Sequence, residues 1–156
     1  MQKHRILLLL LVLLLVLTGC TQNNSGKFES ALKLFANGDY PEAAEAFEKL
    51  GDYATAPTYA AYSRGLVLYD QGQYSAAEPY FAQTREFMYG EERYQYCHGI
   101  ALMEDGQFGE SAAVFAAMGE FEDAPMQQEY CLARAAEEAK DYESALYTRT
   151  DVRVEP

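Results

Sequence analysis

Tryptophan is absent from the 156 residues, while histidine occurs twice, cysteine three times and proline five times. Only one histidine, His98, lies beyond the extreme N-terminus, so any imidazole-based catalytic site would have to form around it. Its neighbour Cys97 is a poor partner, because adjacent side chains on a helix do not face each other. His98 and the cysteines show none of the spacings that hold zinc, and neither a metal nor a cofactor is expected. Basic residues are scarce as well. Twelve Lys and Arg stand against 24 Asp and Glu, a net charge of −12. So acidic a surface repels phosphate backbones and anionic headgroups, which argues against nucleic acid as a partner. The apolar run Ile6 to Leu17 has 12 residues, short of the ~20 that a membrane-spanning helix needs.

What the N-terminus does contain is a basic start, "MQKHR", that apolar run, and the tetrapeptide Leu17-Thr18-Gly19-Cys20. A charged segment, a short apolar core and small residues before a cut form the pattern of a secretory signal. The tetrapeptide resembles the lipobox of bacterial lipoproteins. That resemblance implies a signal peptide over residues 1–19 and a lipid on Cys20. The chain would then sit on the extracytoplasmic face of the cell membrane, or of an outer membrane where the organism has one. Removing 19 of 156 residues leaves 137, one domain by length. Lys3 and Arg5 depart with the signal, so 10 of the 12 basic residues face 24 acids and the net charge becomes −14. No polybasic segment then assists the lipid. Residues 20–27, the lipidated cysteine followed by "TQNNSGK", read as a polar linker. Fully extended, those last seven residues reach at most about 23–25 Å, which points to partners in the membrane or the cell wall.

Beyond the linker the chain repeats itself. "GDYPEAAEAF" (Gly38–Phe47) returns 34 residues later as "GQYSAAEPYF" (Gly72–Phe81) and again as "GQFGESAAVF" (Gly106–Phe115). A frayed copy, "KDYESALYTR", runs from Lys140 to Arg149. Gly38, Gly72 and Gly106 suit the left-handed residue that closes a helix, and Pro41 suits the first position of the next. Small residues recur at Ala43, Ala77, Ser111 and Ala145, and a ring recurs at Phe47, Phe81 and Phe115. The preceding helices carry small residues at Ala31, Gly65, Gly99 and Ala133 and large ones at Leu34, Leu68 and Leu102. Tyr53, Phe87 and Phe121 recur in the connections. Thr55 and Asp123, each before Ala-Pro, are expected helix caps. "LGDYATAP" (Leu50–Pro57) matches "MGEFEDAP" (Met118–Pro125), so alternate junctions are expected to be built alike.

A 34-residue period of helix–turn–helix units is that of the tetratricopeptide repeat, and residues 28–149 resemble this family. The resemblance implies an all-α fold, a right-handed superhelical solenoid of antiparallel helix pairs, with three full repeats and a degenerate fourth. The departures are the missing tryptophan, Pro79 within the second unit, Lys140 in place of Gly and Arg149 in place of Phe. Residues 150–156 read as an irregular tail with no polar cap after them. Repeat arrays normally end in such a cap, so the expectation is an array cut short or an end that a partner covers.

In the tetratricopeptide family the first helices line a concave groove that holds peptides. Carried over by position, the groove would consist of Phe28, Tyr62, Tyr96 and Tyr130, then Leu32, Leu66, Ile100 and Arg134, then Phe35, Tyr69 and Met103, with Glu137 at its charged end. Tyrosine offers a large contact area and a hydroxyl, although the same rings would serve equally well as packing between neighbouring repeats. Cys97 and Cys131 hold equivalent places in successive helices, about 8–10 Å apart, too far for a disulfide; two free buried thiols are expected. Acidic pairs such as Glu91-Glu92 and Glu137-Glu138 read as solvated helix faces. These features point to a non-enzymatic, membrane-tethered scaffold for a protein or peptide of the cell envelope. The alternative is a structural subunit that docks through its terminal repeat or its convex face.

Overall fold

The helices of this chain begin and end where glycine and the apolar columns dictate. A computed structural model describes residues 23–151, with side chains described through residue 142. Residues 1–22, which include the expected signal peptide and Cys20, and residues 152–156 lie outside the described residues. Every regular element among the described residues is a helix: α1 (residues 23–37), α2 (Tyr40–Glu48), α3 (Ala56–Asp70), α4 (Tyr74–Ala82), α5 (Gly90–Glu104), α6 (Phe108–Met118) and α7 (Ala124–Asp151). None of the helices searched is long and apolar enough to cross a membrane. The chain is therefore all-α over this span. The expected linker 20–27 is helical over its last five residues, 23–27.

Three turns are superimposable in their hydrogen bonding. The N–H groups of Gly38, Gly72 and Gly106 donate to the carbonyls of Phe35, Tyr69 and Met103 at 3.1, 2.9 and 3.1 Å. The next N–H groups, of Asp39, Gln73 and Gln107, reach back to Leu34, Leu68 and Leu102 at 3.0, 2.9 and 2.8 Å. This paired closure needs a residue of positive φ, and the three glycines adopt +85°, +69° and +77°. The opposite connections also share one pattern, since Ala56, Gly90 and Ala124 each donate to the ring-bearing residue three before them, Tyr53, Phe87 and Phe121. There Ala54, Met88 and Glu122 take φ of +49°, +50° and +49°. Thr55 stands at the N-cap of α3 without a side-chain hydrogen bond. Asp123 does not cap either, because its carboxylate accepts from the Tyr96 hydroxyl and the Gln127 amide.

The small and large columns interlock. A Cβ on Gly65 would stand 2.9 Å from the Phe81 ring, and one on Gly99 would stand 2.8 Å from Phe115. Only glycine lets α3 and α5 accept those rings from α4 and α6. Ala31, Ala43, Ala77, Ser111, Phe47, Phe81 and Phe115 are all fully buried. Successive helices from α2 to α7 pack on one another, and the Phe28–Phe47 ring contact, 5.5 Å between centroids, ties α1 to α2. Pro79 sits sixth of nine residues in α4, where it removes one backbone donor.

The fourth unit departs from expectation. No turn forms at Lys140; α7 runs unbroken for 28 residues, about 42 Å at 1.5 Å per residue. Lysine at the hairpin position strongly disfavours positive φ and is a good helix former, so the helix continues instead of folding back. The degenerate repeat is thus one long helix, which also takes in Thr150 and Asp151 of the expected irregular tail.

Candidate functional site

The aromatic ladder expected to line a groove is divided by the structure. Tyr62, Leu66, Tyr69, Tyr96 and Ile100 are buried, with Tyr62 only 2% and Tyr96 only 4% exposed. Tyr62 packs edge-on against Phe81 and Phe87, and Tyr96 packs against Phe115 in the same way. No partner can reach these five side chains without opening the core. The ladder instead joins neighbouring helix pairs, because rings of this size fill the space that the small columns leave. Phe28, Leu32, Phe35 and Met103 are partly buried against the same cores.

Tyr130 is different: it is 50% exposed, and its ring meets that of Phe108 edge-on, 6.4 Å between centroids. Arg134 lies beside it, its guanidinium 5.0 Å from the centre of the Phe108 ring and its Nη1 3.1 Å from Glu137. Ala133, equivalent to Gly65 and Gly99, is exposed. Leu132 and Tyr142 on the same helix are exposed too, at 52% and 71%. The accessible aromatic surface is therefore concentrated on α7 and not along a trough. Met88 and Tyr89, in the connection between α4 and α5, add a second exposed apolar pair. Sequence reasoning passed over them, although the equivalent Ala54-Thr55 and Glu122-Asp123 are small or polar.

A polar chain crosses the α4–α5 face. Arg85 forks onto Glu91 at 2.5 and 2.7 Å and holds that carboxyl down at about 2, helped by the Gln95 amide. The same guanidinium lies 4.4 Å from the centre of the Tyr94 ring, Tyr94 stacks on His98, and His98 Nδ1 meets Glu78 at 2.9 Å. His98 thereby fills a helix–helix contact. Arg93 sits over Tyr69 at 4.9 Å, a cation–π contact that the repeat pattern did not mark.

Cys97 and Cys131 are both buried and unbridged. Burial pushes the Cys97 thiol up to about 12, and the Glu78 carboxylate adds to the effect; a thiol held neutral is a poor nucleophile. Burial likewise raises Tyr69 and Tyr96, the latter also through its hydrogen bond to Asp123. Ser111 Oγ donates to the Gly99 carbonyl at 2.7 Å and lies 3.2 Å from Cys131 Sγ. Among the described residues no three His, Cys, Asp or Glu side chains converge as metal ligands would. At the start of α1 an open cleft of about 470 Å³ lies between Asn23, Gly26, Lys27 and Ser30 on one side and Ala46, Lys49 and Leu50 on the other. No protein-family profile matches the chain, and comparisons with curated proteins and with solved structures return no match.

Proposed function

We propose that this chain is a lipid-tethered, non-enzymatic scaffold of the cell envelope that engages a protein partner through helix α7. In this reading the helix pairs form a superhelical array of the tetratricopeptide type, and Cys20 carries the anchor. The partner covers Tyr130, Ala133 and Arg134 on α7, where the aromatic column emerges into solvent. One observation carries the choice of surface. Tyr130 is 50% exposed, whereas Tyr62 and Tyr96 at the equivalent places are 2% and 4% exposed. An aromatic half out of water beside an arginine and bare small residues is the composition of an interface anchor. The groove reading receives less support, because most of its central residues are core. This favours a structural subunit docking through its terminal repeat over a trough that cradles a peptide.

Photo-cross-linking in cells tests the surface. A cross-linker at position 130 is expected to give one discrete adduct, and one at the exposed Ala113 of α6 is not. Tyr130→Ala with Ala133→Arg should abolish that adduct's co-purification while leaving the melting temperature within about 2–4 °C of the parent, the shift that roughly 1 kcal/mol produces in a domain of this size. An adduct at position 113 with none at 130 would refute the assignment.

A further inference from the structure

The connections define one edge of the molecule. α1, α3, α5 and α7 all start there, and α2, α4 and α6 all end there. Side chains confirm the grouping: the start of α1 faces the end of α2 across the cleft that holds Lys27 and Lys49. Tyr59 near the start of α3 meets Phe87 at 4.8 Å, and Tyr96 of α5 meets Phe121. The glycine turns at residues 38, 72 and 106 lie at the other edge. Among the described residues, three of the six exposed large apolar side chains, Met88, Tyr89 and Met126, belong to the first edge, at 52%, 64% and 62% exposure. The fold itself asks for none of them, since the connections equivalent to Met88-Tyr89 carry Ala54-Thr55 and Glu122-Asp123 at the same backbone conformation, and Thr58 and Glu92 hold the place of Met126.

The length of chain outside the structure says what meets this edge. Helix α1 is under way by residue 23, three residues after Cys20, so a lipid on Cys20 holds the α1 end of this edge within about 10 Å of its attachment point. We infer that this edge rests on the lipid bilayer, with Met88 and Tyr89 entering the interfacial layer of zwitterionic lipids. Tyrosine partitions to that layer because its ring is apolar and its hydroxyl is not, and a flexible thioether adapts to it. The lipids are zwitterionic because the acids exposed on the same edge, Asp52, Glu86, Glu92, Glu120 and Glu122, outnumber its exposed basic groups, Lys27, Lys49 and Arg85, the last already paired with Glu91, and would repel an anionic surface. The inference rests on the lipid-anchor reading of Cys20 given above.

The absence of tryptophan makes the test clean. The full lipidated protein is reconstituted into phosphatidylcholine vesicles whose acyl chains carry bromine, with one tryptophan introduced at a time. Tyr89→Trp, and Met126→Trp as a second probe, are expected to shift emission to the blue and to lose about half of it or more to the bromines, as interfacial tryptophans do. Tyr142→Trp, 16 residues further along α7 than Met126 and so about 24 Å from that edge, is expected to keep its emission. Flotation and intact mass read the anchor separately. Protein that neither floats nor carries lipid overturns the Cys20 reading and this inference with it. Protein that floats while positions 89, 126 and 142 emit alike leaves the anchor standing and overturns the edge alone. Shielding of position 89 only in native membranes, through an adduct with a protein, also overturns it.

Discussion

Tyr96 and Tyr130 hold the same place in successive units, as do Gly99 and Ala133, and Cys97 and Cys131, yet α5 and α7 meet different fates. In α5, α6 folds back so that Phe115 covers Gly99 and Tyr96 becomes interior. Among the described residues no helix returns over α7, and Tyr130 and Ala133 are exposed. Cys131 is nevertheless as buried as Cys97, because it faces back toward α6, where Ser111 meets it. A residue in such an array is therefore core or surface according to whether its neighbour on each side has formed, and its own identity does not decide it. The bare apolar face of α7 accompanies two departures from the repeated motif, Lys140 in place of glycine and Arg149 in place of phenylalanine.

The sharpest way to break this contrast is truncation of equivalent side chains. Tyr96→Ala should cost about 3–5 kcal/mol, as for a buried ring that leaves a cavity. Tyr130→Ala should stay near about 0.5 kcal/mol, the usual range of a surface change. Urea midpoints of the two variants read the difference directly. Comparable losses at both positions would mean that α7 is covered in solution and that the equivalence between core and open end is false.

Much of this contrast was legible before any coordinates. The three glycine turns, the interlocking of Gly65 with Phe81 and Gly99 with Phe115, and the buried unbridged thiols all follow from a period of 34 residues, because local geometry and residue size decide them. Which face of a first helix meets water was not legible. Tyr62 and Tyr96 suit a groove and a core equally, and only the rotation of α3 and α5 against their neighbours decides between them. The continuous α7 was half-visible: Lys140 announced that a glycine was missing, but not that the helix would run through. The lack of side-chain caps at Thr55 and Asp123 escaped for a related reason, since the Asp123 carboxylate is drawn away by Tyr96, 27 residues earlier.

A second difference between the interior and the open end concerns protons. In the folded chain the Cys97 thiol is pushed up to about 12 by burial, whereas an unfolded thiol titrates near 8.5. Below about pH 8.5 both states hold the proton and the native state loses nothing. As pH rises further, the unfolded chain releases a proton that the folded chain retains, so stability falls, by up to about 1.4 kcal/mol per pH unit for one group. Tyr69 and Tyr96, also raised by burial, add to the fall once an unfolded tyrosine begins to ionise near pH 10. Denaturant midpoints between pH 8 and 11 should therefore decline. Cys97→Ser, which installs the residue that Ser63 supplies at the same place in α3, should remove the first part of that decline. A flat profile in the parent protein would show that the α3–α5 interior admits water.

The smallest effect tests the cause of the contrast. Lys140→Gly alone should cost about 1 kcal/mol or less, the penalty of glycine inside an exposed helix, because the frayed motif still lacks the ring that Ala133 would have to receive. Adding Arg149→Phe completes the pattern found at Gly72–Phe81 and Gly106–Phe115. The double variant is then expected to fold back at position 140, regain the lost stability and cover Tyr130. Nitration of tyrosine followed by peptide mass analysis reads this out: Tyr130 should be modified readily in the parent and in Lys140→Gly, and protected in the double variant as Tyr62 and Tyr96 already are. If Tyr130 remains reactive when glycine and phenylalanine are both in place, turn chemistry is not what keeps α7 straight. The bare face would then reflect a preference of residues 140–151 for the extended helix itself, independent of the residue at the turn.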